Sequence, residues 1–173
     1  MNILVVGGGG REHAIIAALA KSSKVDKIYA APGNGGISAL AECHPVKATD
    51  IDGMVELAKK LQPDYVFVAP DDPLVLGMVD KLNENGFKTF GPRANAAILE
   101  GSKVFSKALM KKYNIPTAAY ETFTDSEKAI AYVKEQNSYP AVIKCDGLAL
   151  GKGVIIAKDF DEAKEAIESM LLG

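Results

Sequence analysis

The stretch Ile3-Leu4-Val5-Val6-Gly7-Gly8-Gly9-Gly10-Arg11-Glu12-His13 decides the reading of this chain. A short continuous apolar run bounded by glycines predicts a strand buried on both faces, as in a parallel sheet. Ala14-Ile15-Ile16-Ala17-Ala18-Leu19-Ala20 behind it predicts a helix. Glycines at such a junction let backbone N–H groups approach an anion closely, and the helix N-terminus favours negative charge. The pattern therefore predicts a phosphate site at Gly8, Gly9 and Gly10, with Arg11 or His13 as the assisting side chain. The alternative is that the four glycines simply make a tight turn.

A dinucleotide site fails on detail. Its fingerprint needs a third small residue where this chain has Glu12. It also needs an acid closing the second strand to hold a ribose hydroxyl. That strand, Lys27-Ile28-Tyr29-Ala30-Ala31, runs instead into Pro32-Gly33-Asn34-Gly35-Gly36 with no carboxylate. These two departures argue against a nicotinamide or flavin cofactor. A sugar phosphate, which needs only the cradle and a cation, fits better. Glu12 reads as a first-turn acid or a brace for the loop rather than a catalytic base.

Outward from this stretch, strands and helices alternate. Thr49-Asp50 can cap a helix over 51–61, and Gln62-Pro63-Asp64 stops it. The apolar run 65–69 predicts a third strand. Pro70-Asp71-Asp72-Pro73 turns into a helix expected over 74–85, and 87–90 gives a fourth strand. Repeated βα alternation predicts a parallel sheet with helices on both faces. Ligands in such sheets bind outside the C-terminal ends of the strands, where loops 7–13, 32–36 and 70–73 fall.

The character changes near residue 100. Ser102 can cap a lysine-bearing helix reaching Tyr113, which Asn114-Ile115-Pro116-Thr117 ends. Thr124-Asp125-Ser126-Glu127 has the form of a capping box for a helix to about residue 136. Strands over 140–145 and 154–157 flank a glycine loop and are expected to pair antiparallel. An amphipathic helix over 161–172 follows. With a thin second half and apolar residues at its end, the chain reads as a fragment.

Bulk properties narrow the classes. At 173 residues the chain is long for one small domain and short for two large ones. Its apolar content of 48% and charged content of 24% are ordinary for a soluble globular protein. The net charge of −2 gives no reason to expect nucleic acid or an anionic membrane as partner. Cys43 and Cys145 share no metal-like spacing and read as idle thiols of a cytoplasmic protein. The chain opens directly on a strand pattern, so no signal peptide is expected, and it has no apolar run of membrane-spanning length. The oligomeric state is not legible.

Asp146-Gly147-Leu148-Ala149-Leu150-Gly151-Lys152-Gly153 invites comparison with the P-loop but departs from it. Three residues, not four, separate Gly147 from Gly151, and Gly153 stands where Ser or Thr should hold magnesium. Its setting is strand–loop–strand. Such a hairpin tip can cover a triphosphate, with backbone N–H groups and Lys152 meeting the oxygens. Lys144, on the opposite face of its strand from Ile143, can reach nucleotide phosphate as a point charge. The alternatives are an edge-strand charge for Lys144 and a plain turn for the loop.

Taken in order, Gly9-Gly10-Arg11-Glu12-His13-Ala14, Ala31-Pro32-Gly33-Asn34, Pro70-x-x-Pro73-Leu74, Phe90-Gly91-Pro92, Leu99-Glu100-Gly101-Ser102-Lys103 and Ile143-Lys144-x-Asp146-Gly147-Leu148-Ala149-x-Gly151-Lys152-Gly153-Val154 form a jointly specific set. The chain closely resembles, over its whole length, the phosphoribosylamine–glycine ligase (glycinamide ribonucleotide synthetase) family of the ATP-grasp superfamily. The resemblance implies an α/β fold: a Rossmann-like parallel sheet, the pre-ATP-grasp domain, over 1–101. A connecting helix and strand over 102–122 and part of an ATP-grasp lid domain over 123–173 would follow. Family members are considerably longer.

The resemblance also implies a reaction: glycine and phosphoribosylamine are joined with ATP hydrolysis, via glycyl phosphate, in purine biosynthesis. The isolated chain is expected to be inactive. The alternatives are another ATP-grasp ligase of purine synthesis and a non-catalytic module that binds sugar phosphate or nucleotide. Gly8, Gly9, Gly10, Arg11, His13, Asn34 and Asp71 or Asp72 would serve the phosphoribosylamine. Lys103, Lys144, Gly147, Gly151, Lys152 and Gly153 would serve the ATP phosphates. Mg2+ or Mn2+ ligands are expected beyond Gly173, and no catalytic residue is expected within the chain. One departure matters: the family often reads Gly-Pro-Glu where this chain has Ala69-Pro70-Asp71, followed by Asp72. Either acid could meet ribose hydroxyls, or both could simply complement a helix dipole. His13 could face the ligand or pack on the sheet.

Overall fold

The computed structural model describes residues 1–148 and 153–172 of the chain. They fall into two compact units, Met1–Gly101 and 102–173.

The first unit is a parallel sheet. Strands β1 (Asn2–Gly7), β2 (Lys27–Pro32), β3 (Glu42–Cys43), β4 (Tyr65–Val68) and β5 (Thr89–Phe90) lie in the order β3-β2-β1-β4-β5, all parallel. Successive side chains of β1 point to opposite faces, so its apolar run feeds two cores. Leu4 and Val6 pack with Val66, Val68, Met54, Met78 and Leu82 on one face. Ile3 and Val5 pack with Ile28, Ala30, Ile16 and Ile37 on the other. Helix α1 (Gly10–Leu19) and the 3-10 turn Ile37–Ala39 cover the second face. Helices α2 (Ile51–Leu61), α3 (Asp71–Val75), α4 (Met78–Glu84) and α5 (Ala94–Gly101) cover the first. The expected two-faced α/β sheet is present.

Local signals explain the element ends. The Asp50 carboxylate accepts the Gly53 N–H at 2.9 Å and caps α2. Gln62 closes that helix in the left-handed conformation (φ 47°), and Lys59 and Lys60 complement its C-terminal dipole. Three features differ from the sequence reading. The sheet has a fifth strand, β3, only two residues long and paired at the edge. The single helix expected over 74–85 is two, because the chain turns left-handed at Gly77 (φ 86°). Helix α5 was not foreseen; its first N–H donates to the Asp80 carboxylate at 2.8 Å, a cap from another helix.

The second unit contains α6 (Lys103–Lys112), α7 (Ser126–Gln136), the strands β6 (Ala141–Lys144) and β7 (Val154–Ala157), and α8 (Phe160–Leu172). Strands β6 and β7 pair antiparallel, with Val142 opposite Ile156 and Lys144 opposite Val154. Ala129, Ala157, Ala163, Ala166 and Ile167 form its small buried centre. The other sheet face, carrying Val142, Lys144, Val154 and Ile156, is exposed. The cap of α7 is Asp125, whose carboxylate accepts the Lys128 N–H at 2.9 Å, rather than the Thr124 of the expected capping box.

Candidate functional site

Strand order changes direction at β1, between β2 and β4, which is the switch point where open α/β sheets bind ligands. The loops after these three strands meet there. The Gly33 N–H donates to the Gly7 carbonyl at 3.1 Å. Asn34 Nδ2 donates to the Gly8 carbonyl at 2.8 Å, while Asn34 Oδ1 accepts from Gly36 and Ile37 N–H at 2.8 and 2.9 Å. Asn34 thus ties the second loop to the first. The His13 ring lies against that same loop, since a Cβ added to Gly36 would stand 2.7 Å from its Cε1.

Helix α1 begins at Gly10, so Arg11 and Glu12 belong to its first turn. Glu12 is the one buried charged residue among those described, at 5% exposure, and its carboxylate accepts the Gly9 N–H at 2.5 Å. Its stem also fills the space beside Gly7: a Cβ there would stand 2.5 Å from Glu12 Cγ and 2.9 Å from Pro70 Cγ. With φ at 124°, Gly7 admits no side chain on either count. Glu12 is the loop brace among its two readings, and it takes the Gly9 amide away from any anion. The amides of Gly10 and Arg11, first in the helix and so without intrahelical acceptors, remain for a ligand beside the Gly8 backbone.

The Arg11 guanidinium is 75% exposed and lies 3.6 Å from the Asp71 carboxylate. Asp71 and Asp72 are the first two residues of α3. Of the two, Asp71 is the acid that reaches the cation of the first loop. Arg11 and Asp71 border a cavity of about 470 Å³, walled by Leu74, Pro92, Ala97 and Glu100. Sequence reasoning missed this wall because α5 was not foreseen.

In the second unit, the Ser102 hydroxyl accepts the Phe105 N–H at 3.0 Å, as its capping position predicted. The same hydroxyl donates toward both Asp146 carboxylate oxygens, at 3.2 and 3.1 Å, and the Val104 N–H donates to Asp146 Oδ1 at 3.1 Å. Lys103 Nζ donates to the Gly147 carbonyl at 2.6 Å. Burial alone would push the Asp146 carboxyl up. The backbone donors of Val104, Gly147 and Lys103 and the Ser102 hydroxyl outweigh it, so the carboxyl sits below its ordinary value. Lys144 is on the exposed sheet face, on the opposite side of β6 from Ile143. Gly153 is buried and its carbonyl accepts the Cys145 N–H at 2.9 Å. Gly151 and Lys152 lie outside the described residues.

Among the described residues, no group of three or more His, Cys, Asp or Glu side chains is placed to hold a metal ion, and no helix is long and apolar enough to cross a membrane.

A switch-point crevice on a parallel sheet, followed by a lysine-bearing helix bound to the root of a glycine hairpin, marks an α/β protein of the ATP-grasp class. Comparison with known proteins sharpens this. The sequence model for the N domain of phosphoribosylglycinamide synthetase matches residues 1–100, and that for its ATP-grasp (A) domain matches residues 101–173. The phosphoribosylamine–glycine ligase of Caldanaerobacter subterraneus subsp. tengcongensis is 50% identical over 171 residues, covering 99% of this chain and 41% of the relative. The crystal structure of phosphoribosylamine–glycine ligase from Thermotoga maritima superposes with a TM-score of 0.74 at 35% identity, covering 95% of this chain and 38% of that one. N5-carboxyaminoimidazole ribonucleotide synthetase from the same organism shares the fold, with a TM-score of 0.69 at 21% identity over 95% of this chain and 42% of that one. The chain belongs to the phosphoribosylglycinamide synthetase family. It spans about two-fifths of the length of these relatives.

Proposed function

We propose that this chain supplies the sugar-phosphate site and part of the ATP site of a ligase that joins glycine to 5-phosphoribosylamine. In this reaction the glycine carboxylate attacks the γ-phosphoryl of ATP and ADP leaves. The ribosylamine nitrogen then attacks the glycyl phosphate carbonyl and releases phosphate. Residues Met1–Gly101 hold the phosphoribosylamine: the amides of Gly10 and Arg11 and the Gly8 backbone meet its phosphate. The Arg11 guanidinium adds charge, and Asp71 is within reach of the ribose hydroxyls. Glu12, Asn34 and His13 shape the loops that carry these groups. Residues 102–122 connect this domain to a partial lid over 123–173. There Lys103 and Lys144, with the loop 147–153, neutralise and orient the ATP phosphates, a task of positioning and charge. A divalent metal ion, Mg2+ or Mn2+, would neutralise charge on the ATP phosphates, and no step is assigned to it among these residues. A cytoplasmic location is part of this proposal.

The observation that carries this reading is the meeting of three loops at the sheet's switch point in a chain of this family. The test is a chimera in which residues 1–173 replace the matching segment of the Caldanaerobacter ligase. Glycine- and phosphoribosylamine-dependent ADP release is expected from the chimera. ADP release that ignores glycine, in a folded chimera, would overturn the reading.

A further inference from the structure

We propose that Asp146 is a positioning residue: with Ser102 it locks the first turn of α6 to the root of the glycine hairpin, and so aims the Lys103 ammonium at polyphosphate. The inference rests on the assignment of Lys103 to ATP phosphate made above.

Three consecutive residues at the start of α6 bond to two consecutive residues just past the end of β6, more than forty positions later in the chain. Ser102 and Val104 donate to the Asp146 carboxylate, and Lys103 donates to the Gly147 carbonyl. The physical reason is the helix end itself. The first amides of α6 have no intrahelical acceptor, and a carboxylate supplied from the hairpin satisfies one while complementing the dipole. That has two consequences for an incoming polyphosphate. The positive end of α6 is already occupied by a carboxylate, so the phosphate seat is the lysine and not the helix terminus. An ammonium has three N–H donors; among the described residues one rests on the Gly147 carbonyl, and the others can meet phosphate oxygens. Lys103 is thereby held at its tip as well as its root, so its rotamers are restricted before ligand arrives. Lys144 is the last residue of β6, two positions before Asp146, so the tie also restrains the strand end that carries the second cation. The multiple donors on Asp146 keep it ionised and acceptor-only, as this role needs.

The test titrates the 173-residue chain with inorganic tripolyphosphate, following amide resonances. Wild type is compared with Asp146→Asn, Ser102→Ala, Lys103→Met and the Asp146→Asn/Lys103→Met double variant. Native resonances for Val142 and Ile156 establish that each variant keeps its hairpin, and Ser102→Ala serves if Asp146→Asn does not. Asp146→Asn and Ser102→Ala are each expected to weaken binding by about tenfold, the scale of a charge-assisted contact. The double variant is expected to bind no worse than Lys103→Met alone, because Asp146 acts through that lysine. Additive losses in the double variant, or wild-type affinity in both Asp146→Asn and Ser102→Ala, would overturn the positioning role while leaving the ATP assignment intact. Absence of saturable binding by wild type would overturn the Lys103 assignment itself, and the positioning role with it.

Discussion

The Glu12 carboxylate accepts the Gly9 N–H at 2.5 Å from a site only 5% exposed, so the first loop is braced from beneath by its own helix. A buried charge held by one loop amide is costly to leave unpartnered and costly to delete. Glu12→Ala removes the acceptor and leaves space below Gly7. We expect a loss of about 1–3 kcal/mol in urea unfolding, with accelerated hydrogen exchange at the Gly9 amide. Unchanged stability would contradict the brace.

Gly7 and Gly10 should respond oppositely to the same change. Gly7→Ala places a Cβ against Glu12 and Pro70 at a φ of 124°, so a loss of about 2 kcal/mol or more is expected. Gly10 is the first helical residue and a Cβ there meets nothing within 4 Å. Gly10→Ala should stay within about 1 kcal/mol of wild type, on the favourable side. Thermal denaturation of the two variants side by side checks both.

Arg11→Ala should separate binding from stability. The exposed Arg11–Asp71 pair contributes about 0–1 kcal/mol to folding, so the unfolding midpoint should barely move. Binding of ribose 5-phosphate should weaken by about tenfold or more, and the wild-type affinity should fall with added salt.

The sheet edge carries a pH-dependent contact. Lys27 Nζ lies 2.6 Å from Glu42 Oε2, joining β2 to β3. This hydrogen bond is the chief reason that the Glu42 carboxyl lies below its ordinary value and the Lys27 ammonium above its own, against the opposing pull of desolvation. A carboxyl depressed on folding adds stability above its unfolded pKa of about 4.3, and that stability is lost as pH falls through the lower folded value. A lysine raised on folding adds stability below its unfolded pKa of about 10.4, lost as pH rises through the folded value. Lys27→Met should therefore flatten the midpoint-against-pH curve at both ends. A variant curve that merely shifts in parallel with wild type would contradict the pairing.

How much of this was legible follows from the range over which each cause acts. The apolar run of β1, the Asp50 cap and the left-handed Gln62 lie next to what they control, so β1 and α2 could be read directly. Strand β3 could not: Glu42-Cys43 is short and half polar, and only pairing with Tyr29 and Ala30 makes it a strand. Gly77 was visible, but its left-handed turn inside an apolar pattern was not. Glycines, Arg11 and Lys103 announced a site by composition. The residues that hold the site together did not, because Asn34 works through Gly8 and Asp146 through Ser102 and Val104, partners far away in the chain. Their one visible sign was an Asx residue beside glycine at the end of a strand.

The most direct test of the sugar-phosphate site is an amide-resonance titration of the 173-residue chain with ribose 5-phosphate. The account predicts saturable shifts centred on Gly8, Gly10 and Arg11 and reaching Asp71, with about tenfold more ligand or greater needed for saturation in Arg11→Ala. Shifts that never saturate, or that saturate elsewhere while these four residues stay still, would contradict it.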